Sequence, residues 1–228
     1  MKLKGKTAII TGGNRGIGRA VAEAFLKEDA RVFLIASGAE ETSKTIEELS
    51  KKFSGVDGTV CDVSSEAEVA VAVKKAAEKM GSIDILVNAA GIYGPIGSTL
   101  EVDTTHWRKT YEVNVFGTFY MIRSVGKLMK EKNGGKIINF SGGGDGPLPN
   151  FSAYNSSKVA IVRLTETLAE EFKSFGVEIN AIAPGAVNTK FLDEALAAGE
   201  EKVGKERYQK LLKQKQERRT PPEKSSPA

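Results

Sequence analysis

Cysteine and histidine are almost missing from this sequence of 228 residues. It has one of each, Cys61 and His106, and a single tryptophan, Trp107. One thiol excludes an intrachain disulfide and any multi-cysteine metal site. One histidine excludes zinc centres built on several. A Ser-His-Asp hydrolase would have to use His106, and nothing around that residue resembles such a site. Long apolar runs are also lacking, and none approaches the roughly 18–20 residues that span a bilayer. Lys2, Lys4 and Lys6 give the start a positive charge, but the apolar run that follows is only Ala8-Ile9-Ile10. That is too short for a signal-peptide core. The expectation is a soluble cytoplasmic protein with no metal and no membrane partner.

Hydrophobic residues make up 40% and charged residues 27% of the chain, an ordinary globular balance that argues against wholesale disorder. The net charge is +4. All of it lies after residue 199, where nine Lys/Arg face five Glu, and the rest is neutral. A mixed-charge run of this kind is read as a solvated helix face, so nucleic acid is not an expected partner.

Short Ile/Val-rich runs alternate with longer segments of helical period. Strands are expected at Thr7–Thr11, Arg31–Ala36, Asp57–Cys61, Ile83–Val87, Lys136–Ser141 and Val177–Ile182. Helices are expected near 16–29, 39–53, 65–80, 103–132 and 152–174. Strands that are nearly continuously apolar suit a parallel sheet covered on both faces. Six strands separated by five helices predict an α/β fold, a three-layer doubly wound parallel sheet. No linker divides the first 190 residues. The end, Thr220 to Ala228, reads as loop.

The first strand runs into Thr11-Gly12-Gly13-Asn14-Arg15-Gly16-Ile17-Gly18 and then a helix. Glycines allow a tight turn and a close approach of backbone to a pyrophosphate, and the helix offers its free N–H groups and positive dipole end. The strand-before, helix-after context predicts a dinucleotide site. A carboxylate ending the second strand would bond a ribose 2′-hydroxyl and repel a 2′-phosphate. The sequence there is Ala36-Ser37-Gly38, and Arg15 can reach the same corner. Both features favour NADP(H), with NAD(H) left open.

After the fifth strand comes Tyr154-Asn155-Ser156-Ser157-Lys158. The i, i+4 spacing puts Tyr154 and Lys158 on one helix face. An ammonium beside a phenol is expected to lower its pKa from about 10, so that it can exchange a proton near neutral pH.

Together these motifs resemble the short-chain dehydrogenase/reductase family, over residues 3–190. Gly12, Gly16 and Gly18 fall in the family's cofactor loop, together with Asn14, Arg15 and Ile17. Cys61-Asp62-Val63 matches the segment whose aspartate bonds the adenine amino group. Asn88-Ala89-Ala90-Gly91 matches the motif closing the fourth strand, and Val113-Asn114-Val115 carries the family's active-site asparagine. Pro184-Gly185, with Val187 and Thr189, matches the loop holding the nicotinamide carboxamide.

The resemblance implies reversible hydride transfer between NADP(H) and a carbonyl or secondary alcohol. Tyr154 would act as general acid/base. Lys158 would bond the nicotinamide ribose, Asn114 would hold a relay water, and Ser141 would bond the substrate oxygen. The serine assignment has a rival register. Counted back from Tyr154 it is Ser141, which alone offers a hydroxyl; aligned from the strand, the position is Gly142.

The resemblance further implies that residues 191–219 form a helical substrate lid belonging to the 1–190 domain. It implies a homodimer through the helices at 103–132 and 152–174, and a small-molecule carbonyl or alcohol as partner. Family members continue past the lid with one more helix and a seventh strand. Here the text stops at Ala228, so the sixth strand is expected at an edge and thermal stability is expected to be low. The alternative function is a dinucleotide-binding protein with little turnover, its pocket lacking a wall.

Overall fold

A computed structural model gives the architecture, and the structure describes residues 1–142, 146–185 and 189–217. Six strands form one parallel sheet: β1 (Thr7–Thr11), β2 (Arg31–Ala36), β3 (Val56–Val60), β4 (Ile85–Asn88), β5 (Gly135–Phe140) and β6 (Val177–Ile182). Their order is β3-β2-β1-β4-β5-β6. The strand order reverses between β1 and β4, so a crevice opens above their carboxyl ends. Register puts Thr11 at the end of β1 beside both Ile35 and Asn88.

Helices α1 (Gly16–Lys27) and α2 (Ala39–Ser50) cover one face of the sheet. Helices α3 (Glu66–Met80), α5 (Gly117–Glu131) and α6 (Ser152–Phe172) cover the other, and α4 (Thr104–Tyr111) packs against α6. Alternation along β1 sends Ile9 into the core beneath α3 and α5, and Ala8 and Ile10 into the core beneath α1 and α2. Both faces are therefore buried, which explains the unbroken apolar text of the central strands. The edge strands differ. β3 is half-buried, and in β6 only Val177 and Ile179 are buried. An edge strand has a neighbour on one side alone, so polar residues are tolerated in it.

Local chemistry sets the helix starts. The Ser65 hydroxyl accepts the Glu68 amide ahead of α3, and the Asp103 carboxylate accepts the His106 amide ahead of α4. His106 itself turns back onto Asp103 through Nδ1 at 2.9 Å. Trp107 stacks on Tyr111 and donates to the Ser152 hydroxyl. Both residues thus have structural partners.

One expected element is broken. The helix read over 103–132 is α4, then a π-helical stretch over Glu112–Phe116, then α5. Asn114 lies at its centre, fully buried, and its carbonyl accepts the Thr118 hydroxyl at 2.8 Å. Such bulges gather at functional sites because they re-aim one side chain without ending the helix. Apolar periodicity alone does not reveal the extra residue.

Beyond β6 the charged segment forms α7 (Lys190–Ala197), α8 (Gly199–Val203) and α9 (Lys205–Gln216). Leu192, Ala195, Val203 and Leu211 join Phe151, Tyr93 and Tyr154 in a third apolar cluster at the start of α6. The loop read at 220–228 lies outside the described residues. Among the described residues, no helix is long and apolar enough to cross a membrane.

Candidate active site

A cleft of about 530 Å³ lies above the carboxyl ends of β1 and β4. Its floor is the glycine loop. Gly12 and Gly16 adopt φ of +64° and +54°, conformations that side chains disfavour. A Cβ on Gly18 would lie 2.3 Å from the Gly12 carbonyl oxygen, and one on Gly12 would lie 3.0 Å from Ala89 and Ala90. Arg15 precedes α1 without a side-chain cap. The first-turn amides therefore remain available to an anion. Thr11 braces the floor from below, its hydroxyl accepting the Ala89 and Ala90 amides at 3.1 Å each. This cradle fits a dinucleotide pyrophosphate. Gly18→Ala is expected to destabilise the chain by about 1–3 kcal/mol through overpacking. Thermal melts beside wild type check this.

The end of the cleft beside α2 brings residues from three elements together. Asn14, Arg15, Ser37, Gly38 and Glu41 line one corner. The Asn14 amide donates to Glu41 Oε2 at 3.1 Å, and Arg15 Nη1 stands 4.0 Å from the same oxygen. Asp62 and Val63 line the opposite wall with Lys109. Burial pushes the Asp62 carboxyl up. Hydrogen bonds from the Ser64 hydroxyl and amide, with the Lys109 ammonium at 3.1 Å, outweigh it and hold the group below the usual carboxylate range. Glu41 and Lys109 were missed in the sequence. Glu41 sits in the first turn of α2 and Lys109 in the last turn of α4, where charge normally means solvent, and only the packing of these helices beside the crevice brings them in.

At the other end, Tyr154 and Lys158 lie one turn apart at the start of α6, and both line the cleft. Tyr93 meets the Tyr154 ring edge-on at 4.6 Å, and Phe191 of α7 stands 6.1 Å from it. Burial pushes the Tyr154 phenol above its ordinary value, Tyr93 adds to the rise, and Arg207 opposes it. Lys158 Nζ donates to the Phe140 carbonyl at 2.9 Å and sits 5.8 Å from the Tyr154 ring centre. Burial lowers the Lys158 ammonium to about 8. The expectation that Lys158 lowers the phenol is thus corrected for the protein without cofactor. Both groups are desolvated, and desolvation favours the neutral form of each.

Asn114 lies just beneath the cleft wall. Its Oδ1 accepts the Ile92 amide, and its Nδ2 donates to the Ile92 carbonyl and the Ser157 hydroxyl at 3.0 and 2.9 Å. It ties the loop after β4 to α6. A Cβ on Gly91 would approach Asn114 Oδ1 at 3.2 Å and Lys158 Nζ at 3.4 Å, so these three groups converge.

Several expected residues fall elsewhere. Ser141 is buried outside the cleft, its amide bonded to the Ile182 carbonyl. Gly142 is the lining residue, and a Cβ there would lie 3.0 Å from Tyr154 Oη. Gly142 lies beyond the end of β5 at φ +58°, so it is the position aligned from the strand that stands beside the tyrosine. Asn88 also faces away, donating to Asn139 Oδ1 on β5 at 2.9 Å. Asn139 in turn donates to the Thr165 hydroxyl, a buried polar tie across the sheet. Ile17, Ala89, Gly91, Pro184 and Thr189 line the cleft, whereas Gly185 does not. Val187 lies outside the described residues. Cys61 lines the same wall as Asp62, its thiol pushed up to about 12 by burial. Among the described residues, no cluster of three or more His, Cys, Asp or Glu could hold a metal ion.

A glycine-floored crevice at the switch point of a parallel sheet, with a tyrosine and a lysine facing it, defines a dinucleotide-linked oxidoreductase. The family model described as short chain dehydrogenase matches residues 6–199. The 2-(S)-hydroxypropyl-CoM dehydrogenase 3 of Xanthobacter autotrophicus is 36% identical over 196 residues, 86% of this chain and 76% of that one. The glucose 1-dehydrogenase 2 of Bacillus subtilis is 36% identical over 194 residues, covering 82% of this chain and 74% of its own. An NAD+-bound xylitol dehydrogenase superposes with a TM-score of 0.88 at 28% identity, over 98% of this chain and 90% of that one. An actinorhodin polyketide ketoreductase with NADPH gives 0.87 at 29%, over 96% and 87%. The chain belongs to the short-chain dehydrogenase/reductase family and is a hydride-transfer oxidoreductase acting on alcohols or ketones.

Proposed function

We propose that the chain interconverts a small-molecule carbonyl and its secondary alcohol, with Tyr154 as the proton donor and acceptor. The observation that carries this reading is the position of Tyr154 and Lys158 at one end of a cleft floored by the glycine loop. A bound nicotinamide cofactor supplies or takes up the hydride. The protein supplies position and electrostatics.

The amides at the start of α1 hold the pyrophosphate, and Asp62 receives the adenine amino group. Lys158, released from Phe140, bonds the nicotinamide ribose. Pro184 and Thr189 bracket the nicotinamide end. Tyr154, protonated by virtue of its burial, donates its proton to the carbonyl oxygen during reduction and takes it back during oxidation. Asn114 positions Lys158 by fixing α6 against the loop after β4, and a water held there passes the proton onward. The aromatic rim of Tyr93 and Phe191 shields the reacting carbon from solvent.

Steady-state oxidation of NADPH and NADH against a panel of ketones, with polyols and hydroxy thioethers tested in reverse, checks the reading. Turnover of at least one class is expected. Dinucleotide binding with no turnover across the panel would favour the alternative, a binding protein with little catalysis. The hydrogen atom in place of a hydroxyl at Gly142 supports that alternative.

Of the two cofactors NADPH is favoured, through Arg15 and Ser37. Arg15→Ala is expected to weaken NADPH binding about tenfold or more while leaving NADH nearly unchanged, since a charge-assisted hydrogen bond is worth about 1.5–3 kcal/mol. Titration with each dinucleotide measures it, and equal losses would reduce Arg15 to a solvated side chain.

The homodimer is also carried forward. Phe116 and Val159, each about half exposed, stand beside α5 and on α6, the helices expected to pair.

A further inference from the structure

We infer that Glu41 limits acceptance of a 2′-phosphate, so that a charge on α2 works against the NADPH preference that Arg15 and Ser37 would give. The inference rests on the dinucleotide reading of the cleft. The end of β2 carries no acid, yet the structure brings one to the same corner. Glu41 lines the cleft from the first turn of α2. Its Oε2 is held on two sides, by the Asn14 amide at 3.1 Å and by Arg15 Nη1 at 4.0 Å.

The carboxylate lies beside Gly38, where a Cβ would meet Glu41 Oε2 at 3.8 Å and Asn14 Nδ2 at 3.7 Å, ordinary contact distances. The loop and the helix are tied a second time, one turn along, where Thr45 donates its hydroxyl to the Asn14 carbonyl at 2.9 Å. Glu41 and Thr45 thus share the face of α2 that grips the glycine loop.

The consequence is electrostatic. A carboxylate at this corner accepts hydrogen bonds from ribose hydroxyls and repels a phosphate. Arg15 is the cation that a 2′-phosphate would use, and in this arrangement it already faces an anion. Binding of NADPH therefore has to draw Arg15 away from Glu41 and place two like charges near each other. Binding of NADH requires neither. Both side chains are partly exposed, at 40% for Arg15 and 49% for Glu41, so solvent moderates the effect.

The test is a set of dissociation constants for NADPH and NADH, read by fluorescence on the full chain and on Glu41→Gln, Arg15→Ala and the double variant. Glu41→Gln keeps the shape and the bond to Asn14 while removing the charge. It is expected to raise the affinity for NADPH relative to NADH about fivefold. In the Arg15→Ala background the same change is expected to raise it less, because no cation remains to be freed. A ratio within twofold of wild type in Glu41→Gln would overturn the inference. Wild type that binds both dinucleotides without turning over any ketone would leave the inference standing and overturn the catalytic reading. Wild type that binds neither would overturn both.

Discussion

Tyr154→Phe is expected to lower turnover by about 10²–10⁴ while leaving dinucleotide affinity within a factor of about two, the range for loss of one general acid. The reasoning begins with what the phenylalanine keeps. The ring stays packed edge-on against Tyr93 and near Phe191, so the apolar cluster that includes Phe151 and Leu192 is preserved. Only the oxygen is lost, and it is the atom that burial keeps protonated. A phenol held in that state is suited to giving a proton to a carbonyl oxygen. Among the described residues beside it, Gly142 brings no hydroxyl, and Ser141 is buried and does not line the cleft. The measurement is kcat with the best ketone from the screen, beside a dinucleotide titration and a melting curve. Unchanged turnover would reject Tyr154 as the proton donor.

Lys158→Met is expected to act on catalysis and on stability in opposite directions. Losing the ammonium removes the partner proposed for the nicotinamide ribose, so cofactor affinity and turnover should both fall, the latter by about tenfold or more. The protein without cofactor should become more stable near pH 7. Lys158 is desolvated, and its pKa is lowered to about 8 in the folded chain from about 10.5 when unfolded. Below pH 8 the lysine is protonated in both states, and the folded chain bears the full cost of a buried charge. Between pH 8 and about 10.5 the unfolded chain binds more protons than the folded one, so this cost fades as pH rises. Methionine has no such term. Denaturant titrations of the two chains should therefore show the variant ahead at pH 7 and its lead shrinking toward pH 10. A lead that stays constant with pH would mean that Lys158 titrates normally. The hydrogen bond that Lys158 gives to Phe140 sets a limit on the gain, since methionine leaves that carbonyl unpaired.

The two predictions separate roles that adjacent positions on one helix face would otherwise confound. In the proposed roles Tyr154 would touch the reacting oxygen alone, so its loss should move kcat, and Lys158 would touch the cofactor, so its loss should move affinity as well.

Much of the chain was legible in its residues. Apolar runs such as Ala8-Ile9-Ile10 and Val32 to Ile35 have to be strands buried on both faces, because alternation then gives each side of the sheet an apolar row. The glycine loop was legible for a local reason too. Its conformations depend on the absence of a Cβ at Gly12, Gly16 and Gly18, and that is a property of the text. The pairing of Tyr154 with Lys158 needs only a helical repeat.

What the tertiary structure alone decided concerns direction and neighbours. Ser141 and Gly142 are adjacent letters, yet Gly142, at φ +58°, lines the cleft, whereas Ser141 is buried beside it. Asn88 reads as a cleft residue in its motif, but strand alternation turns it into the sheet against Asn139. The π-helical stretch around Asn114 leaves no mark on hydrophobic periodicity, because it adds one residue without changing the buried face. Glu41 is four residues beyond the point where a ribose-binding acid was sought, and only the packing of the first turn of α2 beside Asn14 brings its charge back to that corner. The pKa of Lys158 belongs to the same class. A lysine is charged in any sequence, and it takes the closing of β5, α6 and the loop after β4 around it to make that charge costly. Sequence fixes which backbone shapes and which chemical groups are available, whereas solvent exclusion and side-chain direction are set only when distant segments meet.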